Sequence, residues 1–209
     1  MVKIGVTGSI CSGKSSFCKL LESTYDCIHI DADKVGHECY LPNTSCYYKL
    51  IDTFTDIIID KETNQIDRKI LGSIVFTAKE KMDDLQSIVW PEIKEKLKEK
   101  MAIFENENPE KIIIVEAAIL LEANWADLFD VVILLYADDD VIINRLTSRN
   151  NLSIEDATKR LHSQLTINEK KDKLQNVNHI IIENNQDMNS LINNNEAYTN
   201  FIQTYFVKG

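Results

Sequence analysis

Basic residues are in short supply: 23 Lys and Arg stand against 33 Asp and Glu, a formal net charge of −10. With no broad basic face to offer, the chain is excluded as a general binder of nucleic acid or of anionic membrane. Long apolar runs are missing too. The best candidates, 112–115 and 131–136, are strand-sized, far from the roughly 20 residues needed to insert through a bilayer. Six glycines and three prolines leave no Gly/Ser linker and no long flexible connector. No cysteine pair has C-x-x-C spacing; Cys11, Cys18, Cys27, Cys39 and Cys46 lie 7, 9, 12 and 7 apart, which removes the usual sequence signature of a zinc site. The odd count and the absence of a signal-like start suggest a reducing, cytoplasmic setting in which these thiols serve as small core fillers. Met1 is followed almost at once by a strand, so no presequence is expected.

What is present is an alternation of short apolar runs and helical patterns. Residues 2–7, 27–30, 112–115, 131–136 and 179–182 read as strands, continuous enough to be covered on both faces, as in a parallel sheet. Residues 14–23, 78–105, 138–149 and 153–161 show helical spacing, the second broken or kinked at Pro91 and the last opening on a Ser153…Asp156 pair that resembles a capping box. A polar, Asn-rich helix carrying Leu191, Ile192, Phe201, Ile202 and Tyr205 closes the chain. The expected fold is α/β: a three-layer core with a parallel sheet, built from about 1–34, 109–140 and 174–209. A helical insertion occupies about 35–108 and a small helical lid about 141–173.

Gly8-Ser9-Ile10-Cys11-Ser12-Gly13-Lys14-Ser15 matches G-x-x-x-x-G-K-[ST] at every fixed position, between a strand and a helix. Gly8 and Gly13 allow backbone angles that turn successive amides inward around a phosphate, and the helix dipole adds to the field. Lys14 then supplies a point charge to the β- and γ-phosphates, and Ser15 a hydroxyl to Mg²⁺. A nucleoside triphosphate site follows.

Carboxylates decide which chemistry such a loop performs. Asp31-Ala32-Asp33 follows the second strand, so it emerges at the carboxyl edge of the sheet, where a carboxylate can take a proton from a hydroxyl attacking the γ-phosphate. A lesser alternative makes Asp33 the N-cap of the next helix, and the two roles can also be divided, with Asp31 positioning and Asp33 acting as base. Asp33-Lys34-Val35-Gly36 also fits a D-x-x-G switch, but it follows the loop too soon and no N-K-x-D guanine motif exists. Glu116, ending an apolar strand, either holds a water of Mg²⁺ or is a plain strand-end glutamate. Between residues 141 and 165 the sign of the chain reverses to a local +2. Arg145 and Arg149 lie four apart on one helix, Arg160 and Gln164 four apart on the next, an arrangement suited to gripping phosphate oxygens.

Taken together, these motifs resemble the dephospho-CoA kinase family over nearly the full length, from Val2 to about Asp187. The likeness is carried by I-G-V-T-G at Ile4–Gly8, S-G-K-S at Ser12–Ser15, D-A-D-x-x-x-H at Asp31–His37 and D-R-x-x-L-G-x-x-V-F at Asp67–Phe76. It continues through the segment Glu116–Glu122, R-L-x-x-R at Arg145–Arg149 and R-x-x-x-Q at Arg160–Gln164. The sequence departs from the family at Ser9 and Cys11, where glycines are usual, at Trp90 in place of histidine, and at Ile142 in place of glutamine. The resemblance implies ATP-dependent phosphorylation of the 3′-hydroxyl of dephospho-CoA, with Mg²⁺ as cofactor and another small-molecule or nucleoside monophosphate kinase as the alternative. It implies Asp33, Lys14 and Arg145 as catalytic residues, and Ser15 and Glu116 as metal ligands. ATP falls to Gly8, Cys11, Ser12, Gly13, Lys14, Ser15, Ser16, Arg145, Arg149 and Arg160, and the acceptor to Asp31, His37, Arg68, Trp90 and Leu120. The expected working form is a monomer, with an oligomer not excluded.

Overall fold

A computed structural model of the chain describes residues 1–150 and 152–207. In chain order the elements are β1 (Lys3–Thr7), α1 (Lys14–Thr24), β2 (Cys27–Asp31), α2 (Ala32–Cys39), α3 (Ser45–Phe54), α4 (Arg68–Val75) and α5 (Lys79–Glu107). They continue with β3 (Ile112–Glu116), β4 (Val131–Tyr136), α6 (Asp139–Asn150), α7 (Ile154–His162), α8 (Ile167–Leu174), β5 (His179–Glu183), α9 (Met188–Asn194) and α10 (Glu196–Tyr205). The chain divides into two compact units, one formed by Met1–Ile30 with Phe104–Gly209, the other by Asp31–Ile103.

The first unit is organised by a five-stranded sheet in the order β2-β3-β1-β4-β5, with β1 parallel to both β3 and β4 and β4 parallel to β5. Alternate residues explain why its strands are apolar throughout. Ile4, Val6, Ile114, Val131, Ile133 and Leu135 join Phe17, Cys18 and Leu21 of α1 and Tyr198, Phe201 and Ile202 of α10 in one core. On the opposite side of β1, a Cβ on Gly5 would stand 2.7 Å from both Leu120 and Phe129, so only glycine admits them. A smaller core joins α6 and α7 through Ile142, Leu146, Ala157 and Leu161, with Ile10 and Cys11 packed against it. Ile142 is 1% exposed; an apolar side chain at that position is a packing residue of α6.

The second unit holds α2, α3, α4 and most of α5 around Val35, Tyr47, Leu50, Leu71, Val89 and Ile93. Gly36 lets α2 approach α5, since a Cβ there would stand 3.1 Å from Ile93.

Three sequence expectations are corrected. Of the break or kink expected at Pro91, the break is absent: α5 continues through it from Lys79 to Glu107, the ring removing one amide from the ladder. The C-terminal helix is two helices divided at Asn195, whose backbone is extended (φ −105°, ψ 108°) while its side chain caps α10 by accepting from the Tyr198 amide. The reciprocal capping box belongs to Thr166 and Glu169 at the start of α8. At Ser153 the hydroxyl accepts from the Asp156 amide and donates to the Asp156 carboxylate, which leaves the cap's own amide out of the exchange.

Candidate active site

The loop from Gly8 to Ser15 is shaped by two positions that exclude side chains. Gly8 has φ +152°, and a Cβ there would stand 1.9 Å from the Leu135 carbonyl oxygen. Gly13 has φ +100°, and its Cβ would stand 2.3 Å from Asn184 Nδ2. Cys11 takes φ +55°, a left-handed angle that costs a non-glycine residue about 1–2 kcal/mol. A turn bond from the Ser12 amide to the Ser9 carbonyl (3.1 Å) tightens the loop. Gly13 is the N-cap of α1 and brings no capping side chain, which leaves the cap position open to an anion, as in phosphate sites at helix N-termini.

Lys14 is buried and curls back over the loop, its Nζ donating to the carbonyls of Gly8 (3.0 Å) and Ser9 (2.9 Å). Ser15 Oγ donates to Glu116 Oε1 at 2.6 Å, which couples the foot of the loop to the end of β3. Burial pushes the Glu116 carboxyl up, but the neighbouring His29 ring, the bond from Ser15 and the Lys14 charge outweigh it and hold the group below the usual range. His29 Nε2 lies 3.4 Å from Glu116 Oε2, without hydrogen-bond geometry.

A cleft of about 590 Å³ opens beside the loop. Of the residues expected to bind nucleotide, Cys11, Gly13, Lys14, Ser15, Ser16, Arg145 and Arg149 line it. Ser12 is fully buried beneath the loop, and Arg160 is exposed on α7, outside the lining. Arg145 donates to the carbonyls of Cys11 (3.3 Å), Asn184 (2.9 Å) and Gln186 (2.6 Å), and so ties the loop to the segment after β5.

One support escaped sequence reasoning, and another, Gln164, was expected on the lid helix with Arg160 and lies past its end. Asn184, just past β5, donates from Nδ2 to the Ser12 carbonyl at 2.8 Å and is the group that confines Gly13. Gln164, between α7 and α8, accepts the Ile10 amide at 2.7 Å. A polar residue following an apolar strand, and a glutamine one turn beyond a lid arginine, were the only signals available.

The remaining expected residues fall as follows. Asp31 in the second unit is the N-cap of α2, its Oδ1 accepting from the amides of Asp33 (3.0 Å) and Lys34 (3.3 Å). The capping role considered for Asp33 therefore belongs to Asp31, and Asp33 sits in the first turn of α2, two residues beyond the carboxyl end of β2. His37 and Arg68 are exposed on α2 and α4, and Trp90 is half-buried in α5. Leu120, in the first unit, is fully buried against Gly5, so that position supplies packing.

The donor set at the foot of the loop suits a hard cation. Ser15 and Glu116 offer only oxygens, and the carboxylate is held ionised, as Mg²⁺ beside phosphates requires. Among the described residues, no helix is long and apolar enough to cross a membrane.

Against known proteins, residues 2–190 match the family model for dephospho-CoA kinase. The dephospho-CoA kinase of Oceanobacillus iheyensis is 34% identical over 186 residues, covering 88% of this chain and 89% of that protein. The solved dephospho-CoA kinase from Campylobacter jejuni superposes with a TM-score of 0.67 at 31% identity, over 97% of this chain and 96% of that one. Shikimate kinase from Bacteroides thetaiotaomicron shares the fold at 12% identity, with a TM-score of 0.53 and 97% of each chain covered.

Proposed function

The chain belongs to the dephospho-CoA kinase family, and we propose how its own residues carry that family's reaction. The enzyme transfers the γ-phosphoryl group of ATP to the 3′-hydroxyl of dephospho-CoA, giving CoA and ADP, the last step of coenzyme A biosynthesis. The observation that carries the nucleotide half is the loop itself: a glycine N-cap without a capping side chain at the start of α1, with the Lys14 ammonium folded over the Gly8 and Ser9 carbonyls beside it. When triphosphate enters, Lys14 exchanges those carbonyls for β- and γ-oxygens, a charge-assisted contact that strengthens as negative charge moves toward the leaving oxygen. Ser15 and Glu116 would hold Mg²⁺, which supplies charge neutralisation across the phosphates.

Asp33 is the base. Its carboxylate takes the proton of the 3′-hydroxyl as that oxygen bonds to the γ-phosphorus, while the bond from γ-phosphorus to the bridging oxygen breaks and ADP leaves with the electron pair. Asp31 serves this step by capping α2 and fixing the backbone that carries Asp33. Arg145 and Arg149 steady the transferring group from the wall of the cleft, and Arg160 joins them from α7 as the lid closes. The second unit, with His37, Arg68 and Trp90, receives the acceptor. None of the five cysteines forms a disulfide, in keeping with a reducing compartment, and we assign a cytoplasmic enzyme.

An acceptor panel read by ADP release tests the function. Dephospho-CoA is expected to drive turnover while AMP, UMP and shikimate leave it at the background rate. Turnover with one of the latter and none with dephospho-CoA would overturn the assignment.

A further inference from the structure

Among residues that do not line the cleft, three side chains of different ligand chemistry converge. Cys18 of α1, His29 of β2 and Glu116 at the end of β3 bring a sulfur, a ring nitrogen and a carboxylate oxygen all within 4.8 Å of one another. Cys18 is fully buried, and the His29 and Glu116 side chains are only 10% and 11% exposed. The fold, not the spacing of cysteines, assembles the group: Cys18 lies one helical turn beyond Lys14, and β2 and β3 are neighbours in the sheet.

His29 points to a ligand independently. Its Nε2 is buried without a hydrogen-bond partner although it faces the cluster, and burying such an atom unsatisfied is costly. Its other nitrogen, Nδ1, lies 3.7 Å from the Glu22 carboxylate. Metal-bound imidazoles are oriented in this way, one nitrogen on the ion and the other turned to a carboxylate. Phosphoryl transfer as derived above uses neither Cys18 nor His29 directly.

We infer that Cys18, His29 and Glu116 form a binding site for a borderline-soft divalent cation of the zinc class. A mixed sulfur, nitrogen and oxygen set selects such ions, whereas Mg²⁺ takes oxygens. Zinc bonds of roughly 2.0–2.3 Å place donor atoms about 3.3–3.7 Å apart, a spacing that His29 Nε2 and Glu116 Oε2, at 3.4 Å, already have. Water takes the fourth position. Occupancy draws Glu116 away from Ser15, whose hydroxyl it now accepts, and a soft cation thereby switches off the hard-cation chemistry of the loop. The binding site stands without the assigned reaction; the inhibition rests on it.

Co²⁺ is the probe. Titrated into the full chain under a non-thiol reductant, it should give one equivalent of a thiolate-to-cobalt charge-transfer band that Zn²⁺ displaces. Cys18→Ser should abolish the band. Cys18→Ser and His29→Gln should each weaken Zn²⁺ binding by at least the roughly 10–100-fold that loss of an outer-shell partner causes. X-ray absorption of the zinc-loaded wild-type chain should show one sulfur neighbour at about 2.3 Å, a readout independent of how the variants fold. No band, a band unchanged in Cys18→Ser, or a zinc shell without sulfur overturns the site. In turnover assays Zn²⁺ should inhibit the wild type at saturating ATP and Cys18→Ser at least tenfold less, with equal zinc-free rates. Equal inhibition of both overturns the coupling to Glu116, whereas no turnover at all with dephospho-CoA implicates the reaction and leaves the site untouched.

Discussion

Replacing Glu122 with leucine should destabilise the chain severely, although Glu122 lies in a loop. The Lys170 side chain is completely buried, and its Nζ lies 2.6 Å from Glu122 Oε1, which also accepts the Leu165 amide at 3.4 Å. Removing the carboxylate strands an ammonium with no route to water. Breaking a buried pair from one side costs about 3–5 kcal/mol, against a smaller cost, or a gain, when both partners become apolar. For a chain of this size each kcal/mol shifts the melting midpoint by about 2–4 °C, so Glu122→Leu should lower it by roughly 6–20 °C. Lys170→Met combined with Glu122→Leu should recover most of the loss. Urea unfolding followed by circular dichroism measures all three proteins. A Glu122→Leu chain within about 1 kcal/mol of wild type, or a double variant no better than the single, refutes the reasoning, because the ammonium would then have found another partner or solvent.

Gly13→Ala forces an L-residue into φ +100° and drives a Cβ onto Asn184 Nδ2, displacing the bond to the Ser12 carbonyl. The strain costs about 1–2 kcal/mol and the lost bond about 1 kcal/mol, and equilibrium dialysis should find ATP binding weakened more than tenfold; wild-type affinity would contradict the loop geometry. Glu116 sets an acid limb. Its folded carboxyl titrates below the usual range, so its contribution to stability is complete above the unfolded value of about 4.3 and disappears as pH falls through the lower folded value. Urea midpoints between pH 7 and pH 3 should fall less steeply in Glu116→Gln than in wild type, and parallel curves would remove Glu116 from the acid response.

How much of this was legible in the sequence depends on the range of the interactions involved. The strand, loop and helix from Lys3 to Thr24 could be read directly, because two glycines, a lysine and a continuous apolar run each state a local constraint. So could β3 and β4, since strands covered on both faces are apolar without interruption. Asn195 was invisible within a continuous polar helical pattern, as its extended backbone is fixed by a cap and not by helix propensity. Pro91 misled in the other direction: one missing amide does not stop a helix of 29 residues. The supports of the site were hidden for a third reason. Asn184 reaches a residue 172 positions away and Gln164 one 154 away, and only the folded sheet brings them to the loop. Cys18, His29 and Glu116 belong with these, as their spacing carries no metal signature until α1, β2 and β3 are assembled.

At the centre of the account stands Asp33, relieved of helix capping by Asp31 and assigned the proton of the acceptor hydroxyl. Rapid-quench single turnover of Asp33→Asn with dephospho-CoA, alongside ATP affinity of the same variant, tests that assignment most directly. Phosphoryl transfer should fall by about 10²–10⁴-fold, the usual contribution of a positioned general base, while ATP binds as in wild type. Transfer at close to the wild-type rate would contradict it.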